Sequence, residues 1–381
     1  MGKTRGLKLG MIIFNRNALA WLHTQMMDQP FYNNQVFRDS GCLRREHALI
    51  SLIEDMLRDC GYQTDSQHVW QLDQTRVILA IVDDIEHVNY AHSEDFLGDL
   101  SPNDIVITDA WPNRPLNCRL ILLPNSWFGI YAHQPKIQHD VTHPFVLPIN
   151  RIDYNRAFLA IRMCFDQVLH KGLVNFNCVD RTQGPEQDLD QRRHRWQQFS
   201  ADVVEWYGDK YQRSRDDLCG VMPLRNHELD HDSACQRGAL QVVVETYCSD
   251  YTVCLSEKIF QALCLPRPWI VLAGTWTVAR LRQLGFDVLD DMIDHSYDRE
   301  RMNDDKIVHL SGLTRAWAEQ FTLEDWPQLE PRCQQAADHN QRRLLELRRD
   351  WAQDQANVLA RIAATIQPRP ASQLPSNTIP E

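Results

Sequence analysis

The residues best suited to bind a phosphorylated ligand are a carboxylate at the end of a predicted strand and a Ser-Glu-Lys series at the start of a predicted helix. Gln241-Val-Val-Val-Glu245 has three valines before an acid, and Ser256-Glu-Lys258 opens the next apolar segment. An unbroken apolar run predicts a strand buried on both faces, as in a parallel sheet. Ser256 is a suitable N-cap for the helix. Open N–H groups at a helix start attract phosphate, Lys258 adds positive charge, and the carboxylates can accept hydrogen bonds from ribose hydroxyls.

The order of these elements resembles the donor-binding half of GT-B glycosyltransferases, in particular the α1,3-fucosyltransferase type. The similarity continues through the apolar strand at 269–274, Leu281-Arg-Gln-Leu-Gly-Phe-Asp287 and Asp294-His-Ser-Tyr-Asp298, and it is faint elsewhere. In that family the Glu-Lys pair holds the nucleotide sugar. The resemblance therefore implies donor-binding roles for Glu245, Glu257 and Lys258, with Ser256 where the family often has Thr. Viral and bacterial proteins of unassigned activity carry a similar series, so a fucose donor is not implied.

A second anion-binding position is predicted after the short strand at 145–147. Arg151 follows this strand and precedes a helix whose apolar residues share one face. An arginine at a helix start suits either a diphosphate clamp or a salt bridge at a domain linker, and both roles stay open. Arg156, one turn further along, is a secondary candidate.

Composition indicates a globular chain of two domains. The chain has 381 residues, of which 43% are hydrophobic and 24% charged. It is therefore long enough and apolar enough to form two hydrophobic cores. The net charge of −11 disfavours a passive polyphosphate-binding surface, although a local basic groove stays open. No apolar run approaches the ~20 residues that span a bilayer, and the first residues lack a signal-peptide apolar region. We therefore expect no membrane span and a cytoplasmic location. The eleven cysteines include no Cys-x-x-Cys pair, which favours reduced thiols.

Short apolar strands alternate with helices in the first part of the chain, and this predicts a parallel sheet. The predicted strands are 77–82, 105–107 and 120–123, after a helix at 44–60. The expected fold class is α/β, with two Rossmann-like domains facing each other across a cleft, as in GT-B proteins, and a long C-terminal helix. The predicted parts are an acceptor-side domain at 1–144, a donor-binding domain at 145–332, a helix at 333–366 that packs back on the core, and a disordered tail at 367–381.

Candidate catalytic bases lie at predicted strand ends in the first domain. Asp83 and Asp84 follow one strand and Asp109 follows another. An inverting transfer needs a base within hydrogen-bond reach of the acceptor hydroxyl, and the sequence does not choose among the three. A retaining enzyme needs none of the three. Lys258, Arg151 and helix-start N–H groups would stabilise the departing diphosphate, so no metal or other cofactor is required.

A competing motif is His227-Glu-Leu-Asp-His231, which matches the zinc-protease pattern in which His227 and His231 bind zinc and Glu228 activates water. That pattern needs a stable amphipathic helix, whereas the flanking residues have loop composition. The metalloprotease therefore stays a minor alternative. A non-catalytic GT-B-like binding or assembly protein is another, and a nucleic-acid-modifying transferase acting through the basic run at 192–195 is a third.

The function expected from the sequence is glycosyl transfer from a nucleotide sugar, with a GDP-sugar or UDP-sugar as substrate. The acceptor hydroxyl is unidentified and could belong to a glycan, a small molecule or a modified nucleic acid. Fold resemblance does not fix these identities.

Overall fold

The structure is a computed structural model, and it describes residues 53–64, 69–80, 100–108, 110–113, 115–123, 140–149, 154–176, 235, 237–245, 248 and 250–366. The chain forms two compact units. Unit 1 comprises 1–110, 115–126 and 346–381, and unit 2 comprises 111–114 and 127–345. Both contain helices and sheets with parallel strands, so the α/β prediction is confirmed.

Unit 1 contains a five-stranded mixed sheet in the order β1-β2-β3-β4-β6. Its strands are β1 (Gln63–Thr64), β2 (Val69–Leu72), β3 (Thr75–Ala80), β4 (Ile105–Thr108) and β6 (Arg119–Leu122). β3, β4 and β6 are parallel and correspond to the three predicted strands. β1 and β2 are antiparallel, which the alternation of strands and helices did not predict. A tight turn after Leu72, with Asp73 at a φ of 53°, joins β2 to β3.

The core of unit 1 joins this sheet to two helical segments. The first is 53–59, the described part of the helix predicted at 44–60. The second is the end of the long C-terminal helix, whose residues Val358, Leu359, Ile362 and Ile366 are almost completely buried. Both pack against strand residues such as Ile105. Burial of these side chains is the main stabilising contribution to this unit, at about 1.5–3 kcal/mol for each large aliphatic group.

Unit 2 contains a four-stranded parallel sheet in the order β11-β9-β7-β8. Its strands are β7 (His143–Ile149), β8 (Leu173–Phe176), β9 (Gly238–Val244) and β11 (Trp269–Leu272). All seven residues of β9 are buried, as expected for a strand covered on both faces. A small antiparallel pair, β5 (Trp111–Pro112) with β10 (Thr252–Val253), belongs to the same unit.

Five helices complete the described fold: α1 (Tyr154–Phe165), α2 (Glu257–Cys264), α3 (Thr277–Gln283), α4 (Asp304–Gln320) and α5 (Trp326–Ile366). The predicted boundary at residue 144 falls inside β7, and the one at 332 falls inside α5. Asn340 of α5 is buried, and its side-chain amide donates to the carbonyl oxygens of Leu263 (3.1 Å) and Asp287 (2.9 Å). No described helix is both long enough and apolar enough to cross a membrane.

β7 and β9 approach each other closely at Gly238. A Cβ atom at Gly238 would lie 2.5 Å from the backbone nitrogen of Val146 and 2.8 Å from the carbonyl carbon of Phe145. Because both neighbours are backbone atoms of the adjacent strand, only glycine fits without a shift of the sheet. This contact sets the spacing of the two central strands.

Candidate functional site

The carboxyl edge of the unit 2 sheet has the geometry of a ligand site. β7 is the first strand of this sheet in the chain, and it lies between the second, β8, and the third, β9. The chain therefore changes direction across the sheet between β7 and β9. In open parallel sheets of this type, ligands bind in the crevice at the carboxyl ends of the strands on either side of such a switch point. α1 follows β7, α2 follows β9 and β10, and α3 follows β11, so three helix starts follow strands that end at this edge.

Glu245 lies at this edge, directly after β9, and only 1% of it is exposed. Its backbone N–H donates to Leu272 of β11 at 2.9 Å. Its carboxylate accepts hydrogen bonds from the backbone N–H of Ser256, at 3.2 Å, and from the Ser256 hydroxyl. The structure therefore brings together two of the predicted donor-binding residues. Their mutual contact makes Glu245 the group that positions the start of α2.

Ser256 caps α2, as the sequence predicts. Its hydroxyl oxygen accepts from the backbone N–H of Lys258 at 3.3 Å and lies 3.2 Å from the Lys258 ammonium nitrogen. Lys258 is partly exposed as a residue, and its ammonium group is held beside the first turn of the helix. A lysine here adds a full positive charge to the partial positive charge of the helix N-terminus. An anion at this position would meet both.

The other predicted site residues are described only in part. Arg156 is in the first turn of α1 and is 3% exposed, so its side chain is largely withdrawn from solvent. Glu257 is the first residue of α2, and its side chain lies outside the described part of the structure. Seven further predicted residues lie outside the described residues: Arg151, Asp83, Asp84, Asp109, His227, Glu228 and His231.

The series Asp294–Asp298, part of the resemblance noted above, forms a loop tied to β11 through Tyr297. Tyr297 is fully buried, and its hydroxyl accepts from the backbone N–H of Val271 at 3.0 Å. The same hydroxyl lies 2.9 Å from Nδ1 of His295, and Nε2 of His295 lies 2.8 Å from the carbonyl oxygen of Val288. Because the carbonyl can only accept, Nε2 carries the proton and Nδ1 accepts from the tyrosine. Burial lowers the pKa of His295, so this histidine is neutral near pH 7.

Asp298 occupies the start of α3. Its two carboxylate oxygens each accept at 2.9 Å, one from Val278 N–H and the other from Ala279 N–H. Its backbone carbonyl accepts from Trp276 N–H at 2.8 Å. A protein carboxylate thus takes the position that an anionic ligand would need, so α3 contributes no free anion site. The contact spans 20 residues of sequence, and no local pattern predicts it.

Lys306 of α4 is buried, with 1% exposed, and was not a predicted site residue. Burial lowers the pKa of its ammonium group, and the carboxylates of Asp298, Asp250 and Glu300 oppose that effect. Asp250 also accepts from the Thr275 hydroxyl at 2.8 Å and from Met302 N–H at 2.6 Å. These charged groups lie on the segments after β9 and β11 and on α4. They order the loops that follow those strands.

Asn113 ties the two-strand β5–β10 pair to the same loops. Its side-chain amide donates to the carbonyl oxygens of Asp250 (3.1 Å) and Thr275 (2.9 Å). Asparagine at a strand end is a common turn residue, so sequence reasoning gave it no role. The only sequence signal for Thr275 is its position just after a predicted parallel strand.

The described site places a capped helix start beside the Lys258 ammonium group, an arrangement whose charge suits an anion. Within the described ranges, no three His, Cys, Asp or Glu side chains are grouped so that they could hold a metal ion. In comparisons with known proteins, no family model matches the chain, and neither does a curated protein or a solved structure.

Proposed function

We propose that this protein is a glycosyltransferase of the GT-B type, and that unit 2 binds its nucleotide-sugar donor. The observation that carries the proposal is the hydrogen-bonded series Glu245–Ser256–Lys258 at the carboxyl end of β9. It combines a capped helix start and an anchored ammonium group beside a topological switch point. This combination suits the diphosphate of a nucleotide sugar.

The chemistry follows from the charge that develops during glycosyl transfer. As the bond to the sugar breaks, negative charge accumulates on the departing nucleoside diphosphate. Groups that already point at this position stabilise the transition state without reorganising. The Lys258 ammonium group and the N–H groups in the first turn of α2 other than that of Lys258, which the Ser256 hydroxyl caps, fit this role, and Arg151 is a further candidate from the sequence. In this proposal the carboxylate of Glu245 positions Ser256 and Lys258, since it is too buried to be a primary ribose ligand.

The first test is ligand-dependent stability. The full chain should unfold at a higher temperature with its own donor among GDP-, UDP- and CMP-sugars, because a ligand at 100 times its Kd stabilises the native state by about 2.7 kcal/mol. If none of these nucleotide sugars raises the Tm or shows binding by calorimetry, the proposal is overturned.

The second test separates Lys258 from general charge effects. Lys258→Ala should weaken donor binding about tenfold to a hundredfold, because a charge-assisted hydrogen bond contributes about 1.5–3 kcal/mol. Lys171→Ala is a matched control, since Lys171 is also partly exposed but lies just before β8, at the opposite edge of the sheet. It should bind donor like the unmodified chain. Equal affinities in all three proteins would reject the role of Lys258.

Catalysis needs its own measurement. Product release is followed over time, with and without a glycan acceptor. We expect hydrolysis of the donor when no acceptor is present, or transfer of the sugar when one is. Tight donor binding with neither reaction would identify a non-catalytic binding protein instead.

A further inference from the structure

A cavity in unit 2 has the chemistry of a ligand site, and Glu245, Ser256 and Lys258 are not among the residues that line it. It has a volume of about 570 Å³, within the roughly 300–1,000 Å³ range of small-molecule sites. One wall is the start of α3 with Trp276, and the other is the loop that carries Asp294 and Arg299.

Trp276 is the most unusual residue of this cavity. Its backbone is left-handed, with φ 68° and ψ 16°, although a bulky side chain disfavours this conformation. Its side chain is nevertheless 44% exposed, so burial does not explain a tryptophan here. The backbone is held on both sides, since Trp276 N–H donates to Asp298 and the Trp276 carbonyl accepts from Arg280 N–H at 2.9 Å. Strain that is held in place in this way is typical of functional positions.

The polar groups of the cavity disfavour an anionic ligand. Four aspartates and two arginines line it, and His295 is neutral near pH 7, so the wall is acidic overall. An acidic wall repels phosphates. Asp290 is paired with Arg282 at 2.8 Å, and Asp294 accepts from Ser296 N–H at 2.9 Å. The carboxylates keep lone pairs that can accept from a hydroxyl, and the guanidinium groups keep N–H bonds that can donate to one.

The indole of Trp276 determines the shape of that ligand. The guanidinium of Arg299 lies over the indole ring, with its carbon 6.0 Å from the ring centroid, so one side of the ring meets a fan of hydrogen-bond donors while the residue stays 44% exposed. An aromatic face is electron-rich, and it attracts C–H groups that carry partial positive charge. One face of a sugar ring presents such C–H groups, and its edge presents hydroxyls. A sugar ring therefore matches both the platform and the polar wall.

We propose that this cavity binds a neutral sugar unit of a glycan, with Trp276 as the stacking platform and Asp294 and Arg299 as hydroxyl ligands. The site is independent of the donor site, and the proposal holds whether or not the protein transfers sugars. If transfer does occur, the cavity provides an anchor for a glycan chain.

The test measures binding of neutral trisaccharides of glucose, galactose, mannose and N-acetylglucosamine to the full chain without nucleotide, by calorimetry and by saturation-transfer NMR. At least one should bind. Trp276→Gly should weaken that binding about tenfold or more, as expected when a central aromatic contact is removed. Trp276→Phe should retain most of it, because a ring remains. Glycine is the informative substitution because it accepts a positive φ without strain.

Two controls keep the result specific. Trp276→Gly should leave the Tm within a few degrees, since relief of strain offsets lost contacts, and Leu323→Ala, at another exposed apolar side chain of unit 2, should leave sugar binding unchanged. If the glycine variant does unfold early, Asp294→Asn at the exposed loop gives a second readout and should also weaken binding. The proposal is overturned if no neutral trisaccharide binds, if Trp276→Gly and Asp294→Asn both bind as well as the unmodified chain, or if the cavity instead takes a nucleoside phosphate in a Trp276-dependent way.

Discussion

The Glu245 carboxylate binds Ser256 through both of its oxygens, one at the backbone N–H and the other at the hydroxyl, and Ser256 in turn caps α2. A buried strand end is thereby joined to a helix start 11 residues later. The joint fixes where Lys258 projects, since the Ser256 hydroxyl oxygen also lies 3.2 Å from the Lys258 ammonium nitrogen.

Glu245→Gln should destabilise the protein because an amide can accept from only one of the two Ser256 donors. The expected loss is about 1–3 kcal/mol in the free energy of unfolding, the penalty for leaving a buried polar group unpaired. Urea denaturation measures it. Glu319→Gln, at an exposed position of α4, is the control and should change stability by less than about 0.5 kcal/mol.

A double-mutant cycle tests whether the two residues act together. In a Ser256→Ala background, Glu245→Gln should have a smaller effect, with a coupling of about 0.5–3 kcal/mol. If the losses in the free energy of unfolding simply add, the proposed interaction between Glu245 and Ser256 is contradicted.

Stability should fall as the pH drops through the titration of His295. Burial lowers the pKa of His295 in the folded state, whereas the imidazole has a pKa of about 6.5 in the unfolded chain. The unfolded state therefore binds more protons below that pH. The stabilisation is complete above the unfolded pKa and is lost as the pH falls toward the folded pKa. The expected slope from this one group is at most about 1.4 kcal/mol per pH unit.

His295→Gln isolates that contribution. The variant should be less stable at pH 7, and its free energy of unfolding should depend less on pH between 7 and 5. Urea titrations at several pH values measure both. An unchanged pH slope in the variant would show that His295 does not titrate between the folded and unfolded states.

Gly238→Ala should destabilise unit 2 because the new methyl group would overlap the backbone of β7 at Val146. Overpacking of this kind costs about 1–3 kcal/mol. Gly312→Ala is the matched control, because Gly312 lies in α4 with no atom within 4 Å of an added Cβ. The control should be stabilised by about 0.4–1 kcal/mol. Thermal unfolding of the two variants should give Tm shifts of opposite sign, and shifts of the same sign would contradict the close approach of β7 and β9.

Transfer rates of single variants can show which of the three predicted aspartates is the catalytic base, and this prediction rests on the proposed function. Asp83→Asn, Asp84→Asn and Asp109→Asn should each retain the affinity for donor. One of them should lose transfer by about 10²–10⁴-fold, the usual contribution of a general base. Full activity in all three would indicate a base elsewhere or a retaining mechanism.

Much of the fold was predictable because its signals are local. The valines before Glu245 predict a buried strand, and β9 is buried along its whole length. Ser256 as N-cap is a preference that acts over two or three residues. The hairpin of β1 and β2 was missed, because Gln63–Thr64 is only two residues long and both are exposed, so hydrophobic periodicity gives no signal there.

The sequence by itself determined which residues form the strand ends and helix starts at the carboxyl edge of unit 2, because burial patterns and capping preferences act over a few neighbouring residues. Only the tertiary structure decided how those groups are used. Glu245 is buried in contact with Ser256, and Asp298 accepts hydrogen bonds from the N–H groups at the start of α3. The exposed Trp276 contacts Arg299. These contacts join residues 11 to 23 positions apart, and their formation depends on the order and spacing of the parallel strands. The left-handed backbone of Trp276 is likewise a tertiary result, since a bulky side chain disfavours it and the hydrogen bond from its N–H to the carbonyl of Asp298 helps to hold it in place.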